Sequence, residues 1–507
     1  MSTDLPSRAL AWANNDPNKA TSSYVIDLVE RAKAEDDEEA KATLLELFPD
    51  DTSRRIGFGT AGLRSAMKPG PLHMNDLVIV QATQGLACHV NSVWDQHKSS
   101  GDAKPLAVVG FDHRYEPEFD LSSRRFAMLT KLVFLEAGFD CILLDPAKDF
   151  VHTPLVAFAT LKLKAMVGVM VTASHNPKRD NGYKVYWNDG VQIRPPIDSN
   201  IASAIISSEN LSPWTDYGAI LDKRQEDYGA IVDKRQEKSS KDDPCLGLSD
   251  TKTTMDLADA YYECIRTSGL VTNQAKLLKD DAFRPPSIAY SAMHGVGHQW
   301  AVRSFKTFGL RPFKSVPAQE RPDPAFPTAV FPNPEEKGAL DYSKSFSESE
   351  GCDIIAANDP DADRLAVAER SREDGSWCTF TGDQIGTMIG HWLYTQIGKS
   401  SGDDKIAMVA STVSSSMLSV IAKREGFHFE DTLTGFKWIG SKAVQLKSNG
   451  YRTIFGYEEA IGFAYPDIVP DKDGISSLGI LSELAYNVYH QGKSLKDHMQ
   501  SLYEKYG

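Results

Sequence analysis

Three short apolar segments determine the fold predicted for the first part of the chain: Leu106-Ala-Val-Val-Gly-Phe111, Cys141-Ile-Leu-Leu144 and Val167-Gly-Val-Met-Val171. Each has the length and composition of a buried strand. Residues with helical periodicity lie between them, over Ser123–Ala137 and Leu155–Leu163. Because strands that alternate with helices form a mostly parallel sheet with right-handed crossovers, this region predicts an α/β domain.

The same alternation occurs twice more toward the C-terminus. Strands are predicted at Ser287–Tyr290 and Asp353–Ala356 for a second unit, and at Ile406–Ala410 and Arg452–Phe455 for a third. The length of 507 residues also suits about three domains. We therefore predict three consecutive mixed α/β sandwich domains.

The predicted domain boundaries follow these units. The first α/β domain is expected at residues 1–210, a charged linker at 211–250, the second domain at 251–375, the third at 376–490, and the start of a further connection at 491–507. The linker contains a near-perfect tandem duplication, Asp216–Glu226 followed by Asp227–Glu237. Two copies are too few for a solenoid, so we interpret the duplication as solvated linker sequence.

The composition argues against several classes of function. A net charge of −14 is unsuited to a general nucleic-acid surface, which needs clustered cations. No apolar run approaches the roughly 18 residues of a membrane helix. The six cysteines include no CxxC pair, so they predict neither a zinc site nor a disulfide framework. We expect a cytoplasmic, monomeric protein with a small-molecule ligand.

A polar loop, Thr172-Ala-Ser-His-Asn-Pro177, directly follows the third predicted strand. Ligands of open α/β sheets bind at the carboxyl ends of strands, so Ser174 is expected to face a crevice as a nucleophile. His175 and Lys184 are nearby candidates for proton transfer and charge. A polar turn is the plain alternative. A serine hydrolase is disfavoured because Ser174 lacks the G-x-S-x-G elbow.

A second loop, Asn358-Asp-Pro-Asp-Ala-Asp-Arg364, follows the strand predicted at 353–356. Asp359, Asp361 and Asp363 have the alternating spacing that lets three carboxylates converge on one hard cation, and Mg²⁺ fits best. An EF-hand is excluded because Arg364 stands where that loop needs glycine. An acidic solvated turn is the other alternative. Arg364 is a bidentate cation suited to phosphate.

Together the two loops resemble those of the α-D-phosphohexomutase superfamily, over nearly the whole chain, and most closely its phosphoglucomutase-2 or phosphopentomutase branch. Further matching segments are Gly59–Arg64, Asp431–Lys437, Gly456–Gly462 and Lys472-Asp-Gly474. The resemblance implies substrate contacts, which we expect from Thr60, Arg64, Arg364, Thr434, Gly435, Lys437, Glu458, Glu459 and Lys472.

The resemblance implies a phosphosugar mutase that carries phosphate on Ser174. One Mg²⁺ would be held by the three aspartates and by the phosphate on Ser174, and a sugar bisphosphate would be intermediate and activator. His175 and Lys184 both stay candidates for the general base. The two loops must then meet in space.

The sugar-binding loop departs from the better-known phosphoglucomutases. Tyr457 and Ala460 replace a glycine and a serine around Glu458. The missing serine hydroxyl removes a hydrogen-bond partner for a sugar hydroxyl, and the bulk of Tyr457 is expected to crowd a six-membered ring. Both changes favour a smaller sugar, so pentose phosphate is the preferred substrate and glucose phosphate the second. Sugar 1,6-bisphosphate synthesis is an alternative.

Family members also have a fourth, C-terminal domain that grips the non-reacting phosphate. The sequence ends at Gly507 without such a loop, so we expect the fourth domain to be missing. A truncated, inactive sugar-phosphate-binding paralogue is therefore a further alternative.

Overall fold

A computed structural model describes residues 4–33, 37–49, 55–59, 62–97, 104–146, 149–208, 251–329, 331–398 and 405–507. The duplication at 216–237 and Thr60 lie outside these residues.

Helices and strands alternate along most of the described chain. The α-helices span Leu5–Asn15, Lys19–Ala32, Glu38–Leu47, Asp76–His97, Ser123–Glu136, Thr153–Lys162, Ile197–Ser208, Thr251–Thr267, His298–Phe308, Asp341–Glu350, Gly382–Gln396, Met417–Glu425, Phe436–Ser448, Gly474–His490 and Leu495–Tyr506, with 3₁₀ turns at Gln274–Lys279 and Pro317–Gln319. The strands are β1 (Gly62–Ala66), β2 (Leu106–Phe111), β3 (Tyr115–Glu116), β4 (Leu121–Ser122), β5 (Asp140–Leu143), β6 (Val167–Val171), β7 (Asp180–Trp187), β8 (Ile288–Ser291), β9 (Lys314–Ser315), β10 (Ile354–Ala357), β11 (Ala366–Arg370), β12 (Trp377–Thr379), β13 (Lys405–Ser411), β14 (His428–Thr432), β15 (Tyr451–Glu458), β16 (Gly462–Tyr465) and β17 (Val469–Lys472).

The first sheet has the order β1-β7-β6-β2-β5. Strands β5, β2 and β6 are parallel, whereas β7 pairs antiparallel with β6 and β1 pairs antiparallel with β7. The three strands predicted from the apolar segments are therefore confirmed, with β5 shifted by one residue. Val108 of β2 packs into one hydrophobic core, while its neighbours Ala107 and Val109 pack into another, so helices cover both faces of the sheet.

The second and third sheets repeat this arrangement. The second has the order β12-β11-β10-β8-β9, and the third has the order β14-β13-β15-β16-β17. In each, three strands are parallel and two antiparallel strands extend one side. The prediction of three mixed α/β sandwich units is confirmed.

One loop occupies the same topological place in all three sheets. It leaves the parallel strand that borders the antiparallel pair, which is β6 in the first sheet, β10 in the second and β15 in the third. These loops contain Ser174, the three aspartates and Glu459, respectively. Repetition of one sheet design thus places a polar loop at the carboxyl end of an equivalent strand in each domain. Ser174 contacts Asp359, and Arg364 contacts Ala460, so the three loops border one space, which we call the cleft.

The N-terminal helices form a small cluster of their own, with Val25, Leu28 and Leu44 buried among them. The described residues contain no helix with the length and apolarity of a membrane span.

Candidate active site

Ser174 lies on the loop that leaves β6, and its side chain is nearly fully buried, with 3% of its surface exposed. Its backbone is left-handed, with φ at 53°, which is uncommon for a residue other than glycine. The hydroxyl of Thr172 accepts a hydrogen bond from the Ser174 N–H at 2.9 Å. This turn directs the serine hydroxyl away from its own strand and toward the second domain.

Asp359, Asp361 and Asp363 lie on the loop that leaves β10, and all three are fully buried. One carboxylate oxygen from each lies within 4.8 Å of the others. The Arg364 N–H donates to Asp359 Oδ1 at 2.9 Å, which folds the loop back on itself. The alternating carboxylates therefore converge, as their spacing predicts.

The two loops meet although 185 positions separate them in the chain. Ser174 Oγ donates a hydrogen bond to Asp359 Oδ2 at 2.8 Å, and it lies 3.2 Å from His175 Nδ1. Burial, and after it the nearby charge of Arg364, lower the pKa of His175 to about 3, so the imidazole is neutral near pH 7. The structure thus places a hydroxyl, a neutral imidazole and a carboxylate within mutual contact.

Lys184 projects from β7 into the acidic cluster. Its Nζ lies 2.6 Å from Asp361 Oδ2 and 2.9 Å from Asp363 Oδ2, and Thr153 Oγ1 donates to Asp361 Oδ2 at 2.6 Å. Burial alone lowers the pKa of this lysine, but the two carboxylates outweigh burial and raise it above its usual value. Lys184 is therefore a fixed ammonium ion in this arrangement.

The carboxylates of the cluster respond unequally to their surroundings. Burial and the two neighbouring carboxylates raise the pKa of Asp359 well above its usual range. Burial acts the same way on Asp361, but Lys184 and Thr153 outweigh it and lower the pKa of that carboxyl.

The donor set fits a hard divalent cation. Three buried carboxylates supply oxygen ligands only, which is the preference of Mg²⁺ and Ca²⁺. Asp361 Oδ1 and Asp363 Oδ1 are buried and accept no hydrogen bond from the described part of the protein. Such orphaned anionic atoms are costly unless a cation satisfies them. Asp359, Asp361 and Asp363 are thus able to hold a metal ion.

Arg364 connects the second and third domains beside this cluster. Its Nη1 donates to the Ala460 carbonyl at 3.1 Å and lies 3.8 Å from Glu335 Oε2. Its Nε lies 3.9 Å from Asp363 Oδ1. The side chain is 18% exposed, so it is held in place while part of it stays open to the cleft.

Glu458 and Glu459 border the cleft from the third domain. Glu458 Oε1 accepts a hydrogen bond from the Gly435 N–H at 2.8 Å. Glu459 Oε2 accepts from the hydroxyls of Ser411 and Ser414 at 3.1 and 3.3 Å. Each of these bonds uses one oxygen of its carboxylate. Together they connect the loops after β13, β14 and β15 into one polar surface.

The remaining predicted contacts are spread over the cleft. Lys472 Nζ reaches the acidic cluster, 3.2 Å from Asp363 Oδ2, whereas Lys437 Nζ lies over the Trp438 ring. Arg64 Nη1 donates to Asn176 Oδ1 at 3.0 Å, next to the serine loop. Thr434 is exposed.

The prediction that Tyr457 crowds the sugar is wrong. Its side chain is fully buried in the core, where the ring packs against Phe455 and the hydroxyl lies 3.2 Å from Asp383 Oδ1. Successive residues of a strand point to opposite faces, so Tyr457 points inward where its neighbour Glu458 points to the cleft.

Sequence reasoning missed several residues that shape the site. They are Arg114, Thr153, Glu335, Ser411 and Ser414. A signal existed for two of them: Arg114 lies three residues after the end of β2, and Ser411 is the last residue of β13, at the carboxyl ends where ligands bind.

Comparisons with known proteins agree with the three-domain fold. Models of phosphoglucomutase/phosphomannomutase α/β/α domains I, II and III match residues 55–212, 259–373 and 381–506. The Homo sapiens phosphopentomutase is 39% identical, over 99% of this chain and 75% of its own length. The Saccharomyces cerevisiae phosphoribomutase is 43% identical, over 83% of this chain and 64% of its own length.

A third relative has a different named activity. The Homo sapiens glucose 1,6-bisphosphate synthase is 39% identical, over 89% of this chain and 68% of its own length. Among solved structures, a phosphoglucomutase/phosphomannomutase family protein from Burkholderia thailandensis superposes with a TM-score of 0.59 at 20% identity, over 88% of this chain and 79% of its own length. That likeness concerns the fold.

Proposed function

The chain belongs to the phosphoglucomutase/phosphomannomutase family, and from that premise we propose that it moves phosphate between two hydroxyls of a sugar phosphate, with Ser174 as carrier. One observation carries the proposal: Ser174 Oγ contacts Asp359 Oδ2 at 2.8 Å within a cluster of three buried carboxylates. A buried serine beside a cation site is suited to holding a phosphate ester.

Pentose monophosphate is the preferred substrate in this proposal, and glucose monophosphate is the second. The relatives named phosphopentomutase and phosphoribomutase support the first. Ala460 supports it as well, because the methyl group lacks the hydroxyl that a hexose loop offers at this place.

The cation is proposed to be Mg²⁺, held by Asp359, Asp361 and Asp363. Bound there, it would neutralise charge on the phosphate oxygens during transfer. The protein's own cations complement it: Arg364 and Lys184 lie beside the same carboxylates, and Lys472 approaches from the third domain.

The transfer consists of two balanced steps. In the first, the bond between phosphorus and Ser174 Oγ breaks and a bond to the free sugar hydroxyl oxygen forms; the hydroxyl proton passes to a base, and Ser174 Oγ takes up a proton. In the second, the bond between phosphorus and the other oxygen of the bisphosphate breaks and that oxygen takes up a proton; phosphorus rejoins Ser174 Oγ, which gives up its proton. His175 and Lys184 are the two candidates for the proton transfer. The neutral imidazole of His175 lies 3.2 Å from Ser174 Oγ and can accept a proton, whereas Lys184, held as an ammonium ion by Asp361 and Asp363, can donate one.

Both steps require the sugar to bind in two orientations. Glu458 and Glu459 each present a carboxylate to the cleft, and a carboxylate can accept bonds from two neighbouring hydroxyls. Thr60, Arg64, Thr434, Gly435 and Lys437 are also proposed to bind the phosphate or the sugar.

The relative named glucose 1,6-bisphosphate synthase favours a second candidate, in which a phosphate donor other than a sugar bisphosphate loads the sugar. Supplying an acyl phosphate with a sugar monophosphate distinguishes the two: net bisphosphate accumulation supports the synthase, and interconversion of monophosphates supports the mutase. We also propose a monomeric, cytoplasmic protein, which sedimentation and cell fractionation would test.

The direct test replaces the carrier. In Ser174→Ala, incubation with a labelled sugar bisphosphate should leave no phosphate on the protein, and turnover should fall by orders of magnitude because no phosphoenzyme forms. Ser207→Ala, an exposed serine on the helix Ile197–Ser208, is the matched control and should label as the parent does. Normal phosphate exchange in folded Ser174→Ala would overturn the carrier assignment.

A further inference from the structure

The backbone of the serine loop is held in a conformation that its own sequence does not favour. Ser174 has φ at 53°, where the side chain of an L-residue crowds the following carbonyl. Within the loop, the Thr172 hydroxyl and the Asn176 N–H, which donates to the Ala173 carbonyl, provide local bonds. Strained residues persist only where the surroundings fix them, so contacts from outside the loop must contribute.

A single side chain supplies such contacts. Arg114 Nη2 donates to the carbonyls of Ser174 and Asn176 at 2.7 and 2.8 Å. Its Nη1 donates to the carbonyls of Pro177 and Asp180 at 2.7 and 2.9 Å. One planar guanidinium thus binds four carbonyl oxygens of the turn that carries the nucleophile.

Arg114 is itself fixed by burial, by a carboxylate and by an aromatic ring. Its side chain is completely buried, and its Nε lies 3.5 Å from Asp112 Oδ2. Asp112 is oriented in turn by Ser123, whose hydroxyl donates to Asp112 Oδ1 at 2.5 Å. The ring of Phe326, from the second domain, covers the guanidinium with its centroid 5.5 Å from Cζ. The side chain therefore has one orientation, set by both domains.

We propose that Arg114 is a positioning residue that holds Ser174 Oγ in line with Asp359, without touching substrate itself; this rests on the function proposed above. The rigid fork of arginine is required because it meets four acceptors in one plane. A lysine ammonium has three donors on a flexible stem and cannot satisfy them all. Loss of the fork should let the Ser174 turn relax toward an ordinary backbone conformation and move its hydroxyl.

The experiment compares Arg114→Lys with Arg125→Lys. Arg125 is a second buried arginine of the first domain, and its Nε donates to Asp76 at 2.6 Å. Both changes disturb a buried arginine beside an aspartate, so both should lower the thermal midpoint. Only Arg114→Lys should lower single-turnover phosphate transfer from a sugar bisphosphate to Ser174, on the order of a hundredfold, which is what a displacement of about 1 Å can cost.

Two readouts separate positioning from simple destabilisation. Steady-state kinetics of Arg114→Lys should show the loss in kcat, with KM changed far less, because the residue does not touch substrate. Amide hydrogen exchange in peptides covering residues 172–181 should quicken in Arg114→Lys and stay at the parent rate in Arg125→Lys. Equal kinetic losses in the two variants, or unchanged exchange in Arg114→Lys, would overturn the proposal.

The remaining outcomes are also decisive. If the parent takes no phosphate on Ser174, the proposed function fails, and the exchange comparison still tests Arg114. If Arg114→Lys does not fold, Asp112→Asn leaves the arginine present but removes the carboxylate beside its Nε. It should reduce transfer in the same direction and by less, and transfer at the parent rate with parent exchange would count against the proposal.

Discussion

Lys184 controls how closely the three aspartates can approach one another. Two of them share its ammonium at 2.6 and 2.9 Å, which offsets repulsion between buried like charges. Asp359 lies outside that pairing and instead accepts the Ser174 hydroxyl and the Arg364 N–H. The residue that contacts the nucleophile is therefore the one that Lys184 does not contact.

A different buried carboxyl makes the stability of the chain depend on pH. Asp16 lies between the helices Leu5–Asn15 and Lys19–Ala32. Burial, and after it the nearby charge of Asp76, raise its pKa to about 8 from an ordinary value of 3.8. Between these two values the native state holds a proton that the unfolded chain has lost. The free energy of unfolding therefore falls as pH rises through this window, by at most about 1.4 kcal/mol per pH unit.

We predict that Asp16→Asn, which cannot ionise, gains stability relative to the parent as pH rises toward about 8. The difference in thermal midpoint between variant and parent, followed across that window, checks this. Asp37→Asn is a matched control, because Asp37 caps a neighbouring helix and the Ala40 N–H and Arg31 lower its pKa instead. Its difference from the parent should stay flat. Parallel curves for Asp16→Asn and the parent would contradict the prediction.

At the scale of elements, the helix Gly474–His490 supports the acidic loop through its first residue. A Cβ at Gly474 would lie 2.4 Å from the Arg364 carbonyl oxygen and 2.6 Å from Asn358 Nδ2. Five residues later, a Cβ at Gly479 would lie 2.3 Å from the ring of Phe308, which belongs to a different helix. Alanine at Gly474 and alanine at Gly479 would thus create steric clashes of similar severity on one helix, but only the clash at Gly474 involves the acidic loop.

We predict that Gly474→Ala raises the Mg²⁺ concentration needed for half-maximal activity by about 10–100-fold, the usual cost of disturbing the groups that orient metal ligands. Gly479→Ala should lower the thermal midpoint while leaving the Mg²⁺ requirement at the parent value. Metal titrations of activity for both variants make the comparison. Identical Mg²⁺ requirements would show that the helix start does not support the loop.

The elements that carry chemistry could be predicted because strand and loop signals are local. Short apolar runs predict the strands that end at Val171 and Ala357. The polar residues that follow are predicted to face a ligand because they lie at the carboxyl ends of these strands. The direction of the Tyr457 side chain is predictable as well, because successive side chains of β15 point to opposite faces and Glu458 is the next residue. By contrast, the four carbonyl bonds of Arg114 join residues 60 to 66 positions apart, and no local pattern encodes them.

At the scale of the whole molecule, the three sheets share a continuous core. One cluster of buried residues includes Leu155 from the first domain, Trp300 from the second and Phe463 from the third. The cleft lies where these domains meet, so the distance between Ser174 and Asp359 depends on packing far from either loop. A molecule built in this way should unfold as one cooperative unit.

Tyr261 joins all three domains at one point. It lies on the helix Thr251–Thr267 and is fully buried, with its ring centroid 5.5 Å from that of Phe158 in the first domain. Its hydroxyl donates to Asp473 in the third domain, with oxygens at 2.8 and 2.9 Å. The ring and the hydroxyl therefore serve different interfaces and can be removed separately.

We predict that the parent unfolds in one calorimetric transition and that Tyr261→Ala divides it. Losing the ring removes about 3–5 kcal/mol of packing at the junction, which weakens the coupling between the first domain and the other two. Tyr261→Phe keeps the ring and leaves Asp473 without one donor, at a cost of about 1–3 kcal/mol, so its transition should move to lower temperature and stay single. Calorimetric and van't Hoff enthalpies should agree for the parent and Tyr261→Phe and disagree for Tyr261→Ala. A single sharp transition in Tyr261→Ala would mean that the domains are coupled elsewhere along their shared core.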